Sequence, residues 1–225
     1  MTDELWRMSA VEAVARLRKG EISPLELVEA SAERIAEVEP AVNALPTLCL
    51  DRARDHARCI MQGGAACDAA GEAGWLAGLP VSIKDLTDVA GVRTTYGSPI
   101  FADHVPEKSH PLVERIERKG GIVVGKSNTP EFGAGGSTFN EVFGRTRNPW
   151  NTSLTSGGST GGGAVSVATG EVWLAGHRPW WLAARSRQPL LRCGPAAVAG
   201  ARDPWHRAQS LEPAFGAGAD GTQCG

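Results

Sequence analysis

The sequence predicts an α/β protein, a β-sheet covered by helices, and three features predict it. Two capped amphipathic helices open the chain, short buried strands follow at Leu79–Ile83 and Ile122–Val124, and a helix lies between those strands. Strands separated by a helix favour a layered sheet over a helical bundle.

The first helix is announced by the capping box Ser9-Ala10-Val11-Glu12, after which Val11, Val14, Ala15 and Leu17 recur at helical spacing until Gly20. The second begins in the same way. Ser23 caps, Pro24 takes the first helical position, Glu26 closes the box, and Leu27, Val28, Ile35 and Val38 line one face up to Pro40. An apolar run from Leu45 to Leu50 and an Ala/Arg-rich helical segment come next, and then Gly63–Gly74, which lacks periodicity and reads as a loop. Leu79-Pro80-Val81-Ser82-Ile83 is a short strand ending in Lys84-Asp85. A capped helix from Ser109 to Lys119 leads through Gly120-Gly121 into Ile122-Val123-Val124. From Glu171 onward Lys, Ile, Asn, Tyr and Met disappear, and no helix or strand period survives. Four tryptophans in that stretch, Trp173, Trp180, Trp181 and Trp205, are too many for a typical disordered segment.

With 23 basic and 25 acidic residues interspersed along 225, the chain offers neither nucleic acid nor an anionic membrane a charged patch. Charges interrupt every apolar stretch of the N-terminus, so it is not expected to act as a signal peptide, and no segment reads as a membrane span. Cys49, Cys59, Cys67, Cys193 and Cys224 are odd in number and form no C-x-x-C pair, which suits reduced thiols in a cytoplasmic protein. Neither a metal nor a cofactor is expected.

Three patterns could carry chemistry. Ser156-Gly157-Gly158-Ser159-Thr160-Gly161-Gly162-Gly163, followed by small apolar residues, suits a loop whose backbone N–H groups converge before a tightly packed helix; a flexible Gly/Ser linker is the alternative. Lys84 ends a strand in which alternation sets Val81 and Ile83 on one face and Ser82 and Lys84 on the other. At such a strand end it is either a desolvated base or a solvated charge. Gly120–Ser127 matches the P-loop pattern letter for letter, but a helix precedes it, the β-branched Ile122-Val123-Val124 fills the supposed loop, and Asn128-Thr129-Pro130 blocks the helix that should follow. Phosphate binding is therefore not expected there.

Taken together and in order, Pro80-Val81-Ser82-Ile83-Lys84-Asp85, Gly125-Lys126-Ser127-Asn128-Thr129-Pro130-Glu131-Phe132, Arg147-Asn148-Pro149-Trp150-Asn151 and the Gly157–Gly163 loop resemble the amidase-signature family. The likeness runs from about Val11 to Ala175. It implies an α/β/α sandwich with a mixed central sheet, present here incompletely, in which residues 1–175 form the N-terminal part and 176–225 a non-homologous tail. It also implies amide hydrolysis by a Ser-cisSer-Lys relay. By motif, Lys84 would be the base and Ser159 the bridging serine, with Gly157, Gly158, Thr160 and Gly161 shaping the substrate and oxyanion loop. The implied partner is a small-molecule amide, and a full-length chain could also form a homodimer.

Two departures are mild: the family often has proline at Ser156 and serine at Thr160. A third removes the nucleophile. Where the family places Asp-x-Gly-Gly-Ser, this chain has Ala183 within Gly176–Arg185, so the chain as written is expected to be inactive. The same ten residues, back-translated and read from the second base of the first codon, can spell Gly-Thr-Asp-Leu-Gly-Gly-Ser-Leu-Arg, in which Trp180-Trp181-Leu182 supplies the Gly-Gly pair. A two-base deletion upstream would place that serine at position 183. Three rival readings remain: a non-catalytic remnant or interaction protein, an amidotransferase A-type subunit that needs partner subunits, and a P-loop NTPase that depends on Lys126.

Sequencing the coding DNA across codons 170–186 tests the frame. The expected outcome is an alternative frame that reads Asp-x-Gly-Gly-Ser and stays open beyond it. A stop codon within a few residues, or codons for Leu182 and Ala183 that cannot yield serine, would defeat the reading.

Overall fold

The computed structural model describes residues 2–64, 72–177 and 181–184. The helices are α1 (Ala10–Lys19), α2 (Pro24–Val42), α3 (Leu50–Met61), α4 (Pro111–Arg118) and α5 (Gly161–Thr169). A five-stranded sheet is built from β1 (Thr47–Leu48), β2 (Pro80–Lys84), β3 (Ile122–Ser127), β8 (Leu174–His177) and β9 (Trp181–Ala184) in the order β1-β3-β2-β8-β9. It is mixed. β2 runs parallel to β3 and β8, while β1 and β9 pair antiparallel with β3 and β8. Between β3 and α5 lie two small hairpins, β4 (Phe139–Asn140) with β5 (Gly144–Arg145) and β6 (Arg147–Asn148) with β7 (Asn151–Thr155).

Alternation along the strands divides the core into two layers. Val81, Ile83, Val123 and Leu174 pack with Ala13 and Leu17 of α1 and with Val113 and Ile116 of α4. Ile122, Val124 and Ala175 point the other way, onto Val28 and Ile35 of α2, Ala53, Ala57 and Ile60 of α3, and Val167 of α5. The sheet is thus covered on both faces, as the predicted α/β class requires.

Both N-terminal capping boxes have structural counterparts. Ser9 Oγ accepts the Glu12 N–H at 3.2 Å, and around Ser23 the box closes both ways, with Glu26 Oε2 accepting the Ser23 N–H at 2.7 Å. Three boundaries differ from the sequence expectation. α2 passes through Pro40 to Val42, because a proline this close to the end forfeits a single backbone bond and Asn43, at φ 52°, turns the chain out. α4 is capped by His110, whose Nδ1 accepts the Leu112 N–H at 3.1 Å, while Ser109 Oγ accepts the Ala90 N–H at 2.9 Å. The third lies beyond Glu171, where no strand was expected yet β8 and β9 form an antiparallel pair joined by main-chain hydrogen bonds. Backbone pairing tolerates many sequences, which is why periodicity did not disclose it.

On the described helices, large apolar side chains are exposed at single positions such as Val11 and Met61. Phe139, Trp150 and Leu154, on the two hairpins, are each more than half exposed. Residues 65–71 of the predicted loop, Cys67, Cys193 and Cys224, and residues 178–180 and 185–225 of the predicted tail lie outside the described residues. Among the described residues, no helix is long and apolar enough to cross a membrane.

Trp173 ties the start of β8 to the N-terminus: it is fully buried, and its indole Nε1–H donates to the Met8 carbonyl at 3.1 Å. Trp173→Ala is expected to lower unfolding free energy by about 3–5 kcal/mol, and Trp173→Phe by less, because more of the volume is retained. Urea titration followed by circular dichroism measures both.

Candidate active site

Lys84 is the last residue of β2, and alternation carries it to the same face as Ser82. That face meets α5, where Ser82 Oγ lies 3.4 Å from Ser166 Oγ. The lysine has no exposed surface. Its Nζ donates to Ser159 Oγ at 3.0 Å and to Thr160 Oγ1 at 3.1 Å. Two groups separated by 75 positions in the chain thus meet at the mouth of the Gly-rich loop, within the reach that proton transfer requires.

The loop owes its course to its glycines. Gly157 sits at φ 76°, in the left-handed region, and the peptide bond between Gly158 and Ser159 is cis. A Cβ on Gly162 would stand 2.3 Å from the Asn128 nitrogen, so only glycine lets the first turn of α5 press against the chain leaving β3. Hydroxyls and amides hold the loop from below. Thr138 Oγ1 accepts the Gly161 N–H at 2.9 Å, the Thr138 N–H donates to the Gly157 carbonyl at 2.9 Å, and the Thr129 hydroxyl lies 3.5 Å from the Ser159 carbonyl. Asn140 Nδ2 in turn donates to Asn128 Oδ1 and to the Thr129 carbonyl, both at 2.7 Å.

Beside Lys84 a second lysine is enclosed. Lys126 Nζ lies 3.3 Å from Asp85 Oδ1 and donates to Thr94 Oγ1 at 2.5 Å, and both members of the ion pair are at most 1% exposed. Burial draws the Lys126 ammonium below the usual lysine range, and the Asp85 charge opposes that shift. Asp85 Oδ2 also accepts the Thr95 N–H at 3.1 Å and its hydroxyl at 2.6 Å, so the carboxylate anchors the 94–97 turn to the end of β2. Lys126 lies inside β3, facing Asp85, and the P-loop pattern it completes on paper is interrupted by that strand.

The structure therefore gathers Lys84, Ser159, Thr160 and the adjoining glycines, while Ala183 lies in β9 with its backbone opposite Ala175. Thr138 and Asn140 escaped the sequence reading, because an isolated threonine or asparagine between glycines carries no periodicity. Asp85 and Asn128 stood within the quoted motifs without an assigned task. Cys49 and Cys59 are free thiols, and burial raises Cys49 to about 11, which leaves it an inert thiol near neutral pH. Among the described residues, no group of three or more His, Cys, Asp or Glu side chains could hold a metal.

The family model described as Amidase matches residues 26–176. The chain is 42% identical over 170 residues to the A-type subunit of the glutamyl-tRNA(Gln) amidotransferase from Synechococcus sp. (strain CC9605), covering 76% of this chain and 33% of that protein. With the corresponding protein of Roseiflexus castenholzii it shares 40% over 190 residues, covering 84% and 38%. Among solved structures, a bacterial aryl acylamidase superposes with a TM-score of 0.66 at 34% identity, covering 75% of this chain and 34% of the other. A 6-aminohexanoate cyclic dimer hydrolase complexed with substrate superposes with a TM-score of 0.67 at 31% identity, covering 76% and 34%. The chain spans about a third of the length of the curated relatives it matches. On a family match across most of its residues, together with a Lys84–Ser159 contact inside a Gly-rich loop, this chain belongs to the amidase-signature family.

Proposed function

We propose that this chain descends from an amide hydrolase and that it is inactive as written. The observation that carries the descent is the 3.0 Å contact between Lys84 Nζ, which has no exposed surface, and Ser159 Oγ. A neutral lysine can take the Ser159 proton. Ser159 can then take the proton of an attacking hydroxyl and return it to the leaving amine, so the relay needs a third hydroxyl as nucleophile. That hydroxyl is the serine of the alternative frame, at the place Ala183 now occupies. Without it, and without the backbone N–H donors that would accompany it, the two largest contributions to acyl transfer are missing. Gly157, Gly158, Thr160 and Gly161 then keep only the scaffolding part of their role.

A second reading, an amidotransferase A-type subunit, is favoured by the curated relatives, which carry that name at 37–42% identity, against 31–34% for the two amide hydrolases of known structure. It keeps the same relay and differs in partners. Purification from the native cell separates the two, since an amidotransferase component brings other chains with it and a stand-alone hydrolase does not.

The chain as written is expected to show no turnover of simple aliphatic or aromatic amides. Turnover that survives purification and disappears in Lys84→Ala would overturn the assignment of inactivity. Restoring two bases between the codons for Ala175 and His177 should yield an active enzyme in which Lys84→Ala and Ser159→Ala each lower kcat by ~10³-fold or more. A restored enzyme indifferent to both substitutions would remove the relay.

A further inference from the structure

Away from Lys84 and Ser159, two carboxyl groups meet where the end of α2 approaches the turn between α5 and β8. Glu39, in the last turn of α2, accepts the Ala44 N–H through Oε2 at 2.8 Å and the Leu45 N–H through Oε1 at 2.6 Å. Glu171, in the turn itself, has no exposed surface, and its Oε2 accepts the Thr169 hydroxyl at 2.8 Å. Its Oε1 is buried with no donor in reach, and the Glu171 and Glu39 carboxyls interact with each other.

An ionised carboxylate only accepts hydrogen bonds, so two of them cannot bond to each other; one must carry a proton. Burial raises Glu39, but both its oxygens accept backbone N–H groups, which favours its charged form and makes it the ionised member of the pair. The proton then belongs to Glu171 Oε1. This resolves the missing donor, since a carboxylic acid O–H at that position donates to Glu39 and satisfies both groups.

We propose that Glu39 and Glu171 form a proton-sharing carboxyl pair that latches the C-terminal end of α2 to the α5–β8 turn and is released when the shared proton is lost as pH rises. The groups facing Glu171 are Glu39 and Arg34 from α2 and Thr169 from the end of α5. Burial, reinforced by the Glu39 charge, raises Glu171 well above the usual carboxylate range, while Thr169 and Arg34 oppose the shift. Arg34 does not neutralise the pair, because its Nε–H donates to the Thr169 carbonyl at 2.8 Å and its Nη1 pairs with Glu37 at 2.5 Å. The same turn is held by the Ser31 hydroxyl on the Glu171 carbonyl. Loss of the proton would set two buried negative charges against each other at that point and loosen the C-terminal end of the helix that Thr160 begins.

In the unfolded chain a glutamate ionises near pH 4.3. Because Glu171 holds its proton to higher pH when folded, its contribution is full below that value and declines as pH rises towards the folded value. Glu171→Gln supplies a permanent donor of nearly the same shape. The variant is expected to melt at a higher temperature than the native chain above neutral pH, with the gap widening from about pH 5 to pH 9. A constant gap across that range, or a native chain that remains the more stable at pH 9, would overturn the latch. A second readout needs no variant: the infrared spectrum of the folded native chain at about pH 6, above the usual carboxylate range, should contain the carbonyl stretch of a protonated carboxyl, which fades as pH rises while Ala44 and Leu45 amide exchange accelerates beyond the base-catalysed trend. A folded chain without that band at about pH 6 would equally defeat the proposal. Neither readout depends on catalysis, so both stand apart from the fate of the amidase reading.

Discussion

The structure is organised around the enclosure of an amine. A lysine head with no exposed surface must find hydrogen-bond partners inside the protein, and Lys84 finds them in the Ser159 and Thr160 hydroxyls. This requirement fixes how β2 and α5 approach each other, because the loop must bring two consecutive hydroxyls over the strand end before the helix starts. Gly162 allows that approach, and the main chain of Asn128 receives it. Thr138 is a buried polar residue for the same reason, since a loop bent this tightly exposes N–H and C=O groups that need partners, and Asn140 holds the neighbouring segment through Asn128 Oδ1 and the Thr129 carbonyl. The neighbouring Asp85–Lys126 pair secures the other wall of the strand end by tying the 94–97 turn to β2 and β3.

Much of the fold could be read in advance because its signals are local. The capping boxes at Ser9 and Ser23 and the β-branched run at Ile122 each depend on neighbours a few residues away, and the alternation that puts Lys84 beside Ser82 is a property of any strand. Pro40 misled because helix termination depends on the residues after the proline as well as on the proline itself, and Asn43 supplies the exit beyond the expected end. His110 displaced Ser109 as the cap of α4 because Ser109 had a partner elsewhere, at the Ala90 N–H, which no local pattern records.

The site was legible in a different way. No periodicity joins Lys84 to Ser159; the ordered motifs suggested the pair, and the parallel pairing of β2 with β3 and β8 brings it together. The contacts that stayed hidden were long-range polar ones between ordinary residues. Glu39 and Glu171 are 132 positions apart (171 − 39) and inconspicuous as letters in a sequence, yet burial makes their meeting a question of where a proton resides. Such pairs emerge only from three-dimensional packing, because the cost of a buried charge depends on everything around it.

The contrast between β9 and the nucleophile it would replace shows how unevenly chemistry and folding constrain a chain. Strand pairing is made by backbone groups that every residue except proline possesses in full, so Trp181-Leu182-Ala183-Ala184 can extend the sheet against β8 with no hydroxyl among its side chains. An acyl-transfer nucleophile tolerates no such freedom: it needs one oxygen at one place, with donors aimed at the charge that develops beside it. On the proposed reading, a change of frame leaves a sheet strand in place of a catalytic loop. A strand after Glu171 thus speaks for compatible backbone geometry at that point, and under the proposed relay activity turns on whether a hydroxyl reaches Ser159.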